Sequence, residues 1–189
     1  MSTTANRVDF RRLELRDLNA IEKIERALYR TPWTRSMFAG ELAKPSSISL
    51  GAFDPETHEL LGYLIISRYV DAWHVMNLAV APKHRRQHIA AGLLGRLFLV
   101  TAGEGRRGYT LEVRVSNDVA IRLYEQAGFK ARGVRRGYYT DNREDALIMW
   151  RDPEPEHADD EQGKGRRGKP RGSPDISPQR ARRSQRRAG

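Results

Sequence analysis

Residues 75–94 read VMNLAVAPKHRRQHIAAGLL, and this stretch guides the interpretation of the rest of the chain. Its apolar first part predicts a strand that ends at Pro82, its basic middle predicts a turn, and its last part predicts a helix. A helix start leaves backbone N–H groups without intrahelical partners and carries partial positive charge. With the basic run 83–86 beside it, the turn is a candidate phosphate site. The alternative is a basic turn that is merely solvated.

The turn resembles the acetyl-CoA pyrophosphate loop of the GNAT acetyltransferases, which follows the pattern [Q/R]-x-x-G-x-[G/A] between a strand and a helix. His88 replaces the first glycine, a residue that lets backbone approach a phosphate closely and adopt any φ. The resemblance implies that the loop and the end of the preceding strand bind acetyl-CoA. The expected coenzyme-binding residues there are Leu78, Ala79, Val80, Arg85, Arg86, Gln87, His88, Ile89, Ala90 and Ala91.

Two further blocks extend the resemblance. They are LEVRVSNDVAIRLYEQAGF at 111–129 and RRGYYTDNREDALIM at 135–149. Together with the loop they resemble the ribosomal-protein-alanine N-acetyltransferases and their archaeal N-terminal acetyltransferase relatives, over residues 8–151. The resemblance implies an enzyme that transfers an acetyl group from acetyl-CoA to a peptide α-amine.

Composition limits the classes of protein that fit. The chain has 189 residues, 39% of them hydrophobic, which suits one domain and an appendage. It has no cysteine, so thiol nucleophiles and thiolate metal sites are excluded, and its five histidines show no metal-ligand spacing. We therefore expect no metal. The N-terminus lacks the apolar segment of a signal peptide and no stretch is apolar enough to span a membrane, so we expect a cytoplasmic protein without membrane contact.

Charge separates the last part of the chain from the rest. Residues 152–161 hold six acidic side chains and no lysine or arginine, whereas residues 162–189 hold ten basic side chains and one acidic one. A segment with so few apolar residues cannot offset its ordering entropy by burial. We expect a flexible N-terminus at 1–7, a folded domain at 8–151 and a disordered tail at 152–189. The basic part is a candidate for ribosome or RNA contact, with a solubilising role as the alternative.

Periodicity predicts an α/β domain with a mixed sheet, mostly antiparallel, and helices on both of its faces. This is also the element order of the GNAT fold. Asp17 and Asn117 are the expected N-caps of the first and last helices. The predicted strands are 10–15, 47–53, 60–69, 73–80, 108–115, 130–136 and 146–150, and the predicted helices are 18–28, one starting at Thr34, 89–101 and 117–128.

Glu112 is the candidate general base. Strand alternation places it on the face opposite Leu111 and Val113, where the alternative is a surface ion pair with Arg114. The glutamate of the LEVR block in the resembling family is the proposed base. Because an α-amine has a pKa of about 7.7–8.0, a weak general base is sufficient to deprotonate it near neutral pH.

Tyr124 is the candidate general acid. Its helical spacing with Ala120 and Ile121 favours a core position, but in the resembling family a phenol here points at the coenzyme sulfur. Asn117 is expected both to cap its helix and to contact coenzyme A. Three aromatic residues in loops, Trp33, Tyr138 and Tyr139, are candidates for the wall of the peptide groove. For Trp33 the alternative is a ring that covers the core.

The resemblance implies an acetyl-CoA-dependent enzyme that acetylates the N-terminal alanine of a small-subunit ribosomal protein. Two alternatives remain open. One is an N-terminal acetyltransferase of broader specificity, and the other is a catalytically silent GNAT domain that binds ribosome or RNA through the basic tail. His88 favours the silent domain, whereas Glu112, Asn117 and Tyr124 favour an enzyme.

Overall fold

The computed structural model describes residues 7–104 and 108–153. Within these residues, seven strands and four α-helices follow one another in the predicted order: strand, two helices, three strands, helix, strand, helix, two strands. The strands are β1 Asp9–Arg12, β2 Ser47–Phe53, β3 Leu60–Tyr69, β4 Ala72–Val80, β5 Tyr109–Arg114, β6 Lys130–Arg135 and β7 Ala146–Arg151; the helices are α1 Leu18–Leu28, α2 Arg35–Ala43, α3 Ile89–Val100 and α4 Asp118–Gln126.

The strands form one sheet in the order β1-β2-β3-β4-β5-β7-β6. All neighbours are antiparallel except β4 and β5, which are parallel. A parallel pair needs a long crossover, and α3 supplies it. The mixed, mostly antiparallel sheet is therefore confirmed.

Two apolar clusters cover the two faces of the sheet. One contains the buried residues of α3 with Tyr124 of α4, and the other contains those of α1 with Phe38 of α2. Strand β3 lies between them, and its residues 60–67 are buried throughout. This explains why β3 reads as a continuous apolar run rather than an alternating one.

Asp17 occupies the predicted N-cap position of α1, but its side chain makes no capping hydrogen bond to the helix. Its carboxylate instead accepts from the backbone N–H of Glu14 at 2.8 Å and pairs with Arg11 at 2.8 Å. This contact closes a short 3-10 turn at Leu15–Asp17, which is why β1 ends at Arg12 and not at residue 15.

Asn117 does cap α4, since its Oδ1 accepts from the backbone N–H of Ala120 at 3.2 Å. Within the described ranges, no helix is both long and apolar enough to cross a membrane. The predictions for residues 1–6 and 154–189, which include the basic tail, lie outside the described residues.

Candidate functional site

The site lies where the sheet is interrupted. Strands β4 and β5 pair over only two residue pairs, Trp73 with Tyr109 and His74 with Thr110. Beyond them both strands line a pocket of about 400 Å³. On its other side β4 carries a bulge: Ile65 of β3 faces Asn77 and Ile66 faces Val75, so that Met76 is the extra residue. A bulge re-aims side chains locally.

Seven of the residues predicted for the site share this pocket. They come from the α1–α2 loop, β4, β5, α4 and the β6–β7 loop, and they are Trp33, Leu78, Glu112, Asn117, Tyr124, Tyr138 and Tyr139. The pocket is also lined by Glu25, Tyr29, Thr31, Val75, Met76, Asn77, Val113, Arg114, Ala120, Thr140 and Asp141, which the sequence did not single out for a site.

The side chain of Glu112 is largely buried and contacts His74 and Arg135. Its side chain is 8% exposed, with Oε2 3.0 Å from Nε2 of His74 and Oε1 3.2 Å from Nη1 of Arg135. The hydrogen bond from His74 outweighs desolvation and holds the pKa of the Glu112 carboxyl below its usual value. Glu112 is therefore ionised at neutral pH and can accept a proton.

The ion pair predicted between Glu112 and Arg114 as the alternative is wrong. Arg114 reaches both carboxylate oxygens of Asp141 at 2.9 and 2.8 Å and Oε2 of Glu144 at 3.0 Å. His74 takes its place beside Glu112, and sequence reasoning missed it. The signal for His74 is the parallel register that sets it opposite Thr110, two residues before Glu112.

Tyr124 belongs to both the core and the pocket. It is 8% exposed, and its ring packs edge-on against Phe129 at a centroid distance of 5.7 Å. Burial raises the pKa of the Tyr124 phenol, so the hydroxyl stays protonated at neutral pH. A protonated phenol facing a pocket can donate a proton or a hydrogen bond.

The β6–β7 loop is fixed by the Arg114 network. The guanidinium of Arg114 lies 3.8 Å from the ring centroid of Tyr139, and the rings of Tyr138 and Tyr139 pack nearly perpendicular at 5.2 Å. Glu144 accepts from the hydroxyl of Ser116 at 2.6 Å and from its backbone N–H at 3.0 Å. Two adjacent aromatic residues are thus presented to the pocket on a rigid loop.

Trp33 is fixed on the opposite wall. Its backbone N–H donates to Oε1 of Glu25 at 2.9 Å, and its ring packs on Phe38 at a centroid distance of 5.3 Å. Trp33 therefore both covers the apolar cluster on the α1–α2 face and lines the pocket.

The predicted coenzyme loop lies at the start of α3, outside the set of residues that line this pocket. Arg86 and His88 have left-handed φ angles of 59° and 58°. His88 occupies the N-cap position of α3 without a side-chain cap bond, and its side chain is exposed. Arg85, Arg86, Gln87 and Ala91 are exposed as well, whereas Ile89 is buried in the core and Ala90 is half-buried. On β4, Ala79 is buried on the α1–α2 face.

The chain belongs to the acetyltransferase (GNAT) family, whose family model matches residues 18–129 and so includes the β4–β5 gap and Glu112. It is 35% identical over 140 residues to the putative [ribosomal protein bS18]-alanine N-acetyltransferase of Bacillus subtilis, covering 74% of this chain and 92% of that protein.

Several solved structures share the fold. The crystal structure of the ribosomal-protein-S18-alanine N-acetyltransferase from Escherichia coli has a TM-score of 0.70 and 32% identity, over 78% of this chain and 94% of the other. That of Arabidopsis thaliana NAA60 in complex with acetyl-CoA has a TM-score of 0.70 at 22% identity, over 77% of this chain and 99% of the other. The second similarity concerns the fold alone.

Proposed function

We propose that the chain is an acetyl-CoA-dependent Nα-acetyltransferase that acetylates the N-terminal alanine of ribosomal protein bS18. The observation that carries the proposal is the ionised Glu112, oriented by His74 and Arg135, in one pocket with the protonated Tyr124. The names of the Bacillus subtilis and Escherichia coli relatives support the choice of substrate.

The start of α3 suits the pyrophosphate of acetyl-CoA. This twelve-residue helix begins with N–H groups that lack intrahelical partners, and the exposed guanidinium groups of Arg85 and Arg86 stand beside it. We assign the backbone of residues 86–91 to the phosphates and that of Leu78, Ala79 and Val80 to the acetyl and pantetheine groups. Asn117, which lines the pocket at the start of α4, would contact coenzyme A.

The proposed chemistry is a direct transfer. The neutral α-amine attacks the thioester carbonyl, a C–N bond forms and the C–S bond breaks. Glu112 takes a proton from the amine, directly or through a water molecule, and Tyr124 gives one to the departing sulfur. The starting protonation states of both groups fit these roles, because Glu112 begins ionised and Tyr124 begins protonated. The peptide would approach between Trp33 on one wall and Tyr138 and Tyr139 on the other.

The test uses purified full-length chain and peptides with the bS18 N-terminal sequence. We expect acetylation of the free N-terminal alanine, and none of the same peptide with a blocked N-terminus. Peptides that start with serine or methionine test the broader specificity. Equal rates for the alanine, serine and methionine peptides would indicate an enzyme that acts on several proteins rather than on bS18 in particular. In cells, mass spectrometry of ribosomal-protein N-termini should show unacetylated bS18 when the gene is deleted. Unchanged acetylation would contradict the proposal.

A further inference from the structure

Glu25 is a buried carboxylate at the pocket that the proposed chemistry does not use. It lies on α1 and is 2% exposed. Its Oε1 accepts from the backbone N–H of Trp33 at 2.9 Å, and its Oε2 accepts from the hydroxyl of Tyr63 and from Nδ2 of Asn77 at 3.3 Å. Within residues 7–104 and 108–153, no basic side chain pairs with it. A buried charge in such surroundings depends on its hydrogen bonds.

The three donors belong to three different parts of the molecule. Trp33 lies in the α1–α2 loop, Tyr63 lies in the central strand β3, and Asn77 adjoins the bulge of β4. Of these three donors, Trp33 and Asn77 line the pocket together with Glu25, whereas Tyr63 is fully buried and does not. One carboxylate thus joins two pocket walls to the centre of the sheet.

Aromatic ring contacts also link Trp33 to Tyr63, through Phe38. The ring of Trp33 packs on Phe38, and Phe38 packs edge-on against Tyr63 at a centroid distance of 5.7 Å. Tyr63 then donates back to Glu25. The loop that carries Trp33 is therefore held by its backbone through Glu25 and by its ring through Phe38.

We infer that Glu25 is a positioning residue for the peptide, which holds Trp33 and the β4 bulge in the register that the substrate N-terminus requires. The inference rests on the proposed function for the nature of the substrate. If Glu25 loses its acceptors, the N–H of Trp33 and the amide of Asn77 lack a buried partner and must move. Such a displacement weakens the fit of the reacting groups without removing either of them.

The experiment compares four variants of the full chain. Glu25→Ala removes the carboxylate, and Glu25→Gln keeps an acceptor for the Trp33 N–H. Tyr63→Phe removes one donor from outside the pocket while its ring still packs on Phe38.

Glu22→Gln is the matched control, because Glu22 lies on the same helix, pairs with Arg26 and Arg35, and does not line the pocket.

We expect Glu25→Ala to raise the peptide KM by about tenfold or more and to change the acetyl-CoA Kd by less than about twofold. Glu25→Gln should recover most of the loss. Tyr63→Phe should raise the peptide KM by roughly threefold with normal acetyl-CoA binding, since the hydroxyl donates to Glu25 and Tyr63 does not line the pocket. The double variant Tyr63→Phe, Glu25→Gln should raise the peptide KM by less than the product of the two single fold-increases, because both changes affect the same contact. Glu22→Gln should match the wild type.

Hydrogen exchange separates this inference from the proposed function. The Trp33 amide should exchange faster in Glu25→Ala and Tyr63→Phe than in the wild type, whichever peptide is acetylated. A peptide KM unchanged in Tyr63→Phe, an acetyl-CoA Kd that rises as much as the peptide KM, or a Glu25→Gln variant as poor as Glu25→Ala would each overturn the positioning role. If Glu25→Ala does not fold, Glu25→Gln and Tyr63→Phe still decide the matter.

Discussion

On the proposed function Glu112 meets two opposing demands, since it accepts a proton although its contacts with His74 and Arg135 lower its pKa. We expect Glu112→Gln to lower kcat by about 100-fold or more, because the amide cannot take a proton. Folding and acetyl-CoA binding should remain, since the amide keeps the size of the side chain. Steady-state kinetics at saturating acetyl-CoA measures the effect, and Glu14→Gln on the surface is the control.

The pH profile gives the same prediction a second readout. Because the pKa of Glu112 is lowered, its carboxylate is ionised throughout pH 6–9. The wild-type rate should then rise over that range with the deprotonation of the peptide amine, whose pKa is about 7.7–8.0. A Glu112→Gln enzyme with the turnover of the wild type at every pH would exclude the general-base role.

Tyr124 allows the acid and the core roles to be told apart. Tyr124→Phe keeps the ring that packs on Phe129 and removes only the proton. We expect a fall in kcat by roughly 100-fold with little change in the free energy of unfolding. Activity per folded molecule is the quantity to measure, with urea unfolding alongside. Normal specific activity in a destabilised protein would leave Tyr124 a core residue only.

For single residues, the sequence predicted correctly those features that depend on one strand or one helix. Alternation placed Glu112 on the correct face, and Asn117 was a correct cap because both facts are local. The partners of Glu112 were not predictable in this way. His74 reaches it only because a parallel ladder of two pairs sets β4 beside β5, and Arg135 reaches it from β6, beyond β7.

Among the structural elements, the loop before α3 departs most clearly from its family's pattern. His88 is left-handed at φ 58°, a conformation that costs a residue with a Cβ atom about 1 kcal/mol relative to glycine. We expect His88→Gly to raise the free energy of unfolding by up to about 1 kcal/mol and to retain acetyl-CoA binding. Urea unfolding and calorimetric titration measure the two quantities.

Ala91→Gly, in the first turn of α3, is the matched control for His88→Gly. The φ angle of Ala91 is not positive, so Ala91→Gly should lower the free energy of unfolding of the protein by about 0.5–1 kcal/mol. The two glycine substitutions should therefore have opposite signs. If His88→Gly is destabilising as well, the left-handed φ of His88 is not a source of strain.

The β6–β7 loop has a defined dependence on acid. Hydrogen bonds from Ser116 and Asn142 lower the pKa of the Glu144 carboxyl from 4.5 to about 2. Since the folded pKa lies below the unfolded one, this contribution to stability is complete above about 4.5 and is lost as the pH falls toward 2. NMR titration should show the Tyr138 and Tyr139 ring signals unchanged from pH 7 to 5. A change in those signals above pH 5 would contradict the pKa direction.

The elements themselves were largely predictable, and their contacts were not. Helical and strand periods gave most boundaries to within a residue or two, because they reflect burial on one face. The position of Asp17 at the N-cap was predicted correctly, but its hydrogen bonds were not, because a carboxylate before a helix can as easily bond backward to Glu14 as forward into the helix. The Arg114 network joins β5 to a loop some 30 residues later, and no local pattern encodes it.

For the whole molecule, the basic tail raises a separate question. Its residues lie outside the described part of the chain, so its role remains a prediction from charge. Removal of 162–189 should leave peptide acetylation in dilute buffer nearly unchanged and should weaken association with ribosomes, because ten basic side chains are lost. Sedimentation with ribosomes at several salt concentrations measures this. Equal, salt-insensitive binding with and without the tail would exclude the contact.

The fold as a whole was predictable because the element order and the sequence blocks pointed to the same architecture. The observed order of strands and helices is the order predicted from the sequence, and helices cover both faces of the sheet. The position of the pocket was implied by resemblance. Its lining by Glu25 and Asn77 was not, since each lies in a stretch that reads only as an amphipathic helix or a strand.

The short ladder between β4 and β5 has an evolutionary consequence. Two residue pairs join these strands, and on the proposed function the backbone beyond them contacts the coenzyme. A ligand recognised by main-chain groups does not depend on which side chains the strand carries. Residues 78–80 could then drift among apolar types of suitable size over long divergence without loss of coenzyme binding. Selection would instead act on keeping the two strands apart beyond these two residue pairs.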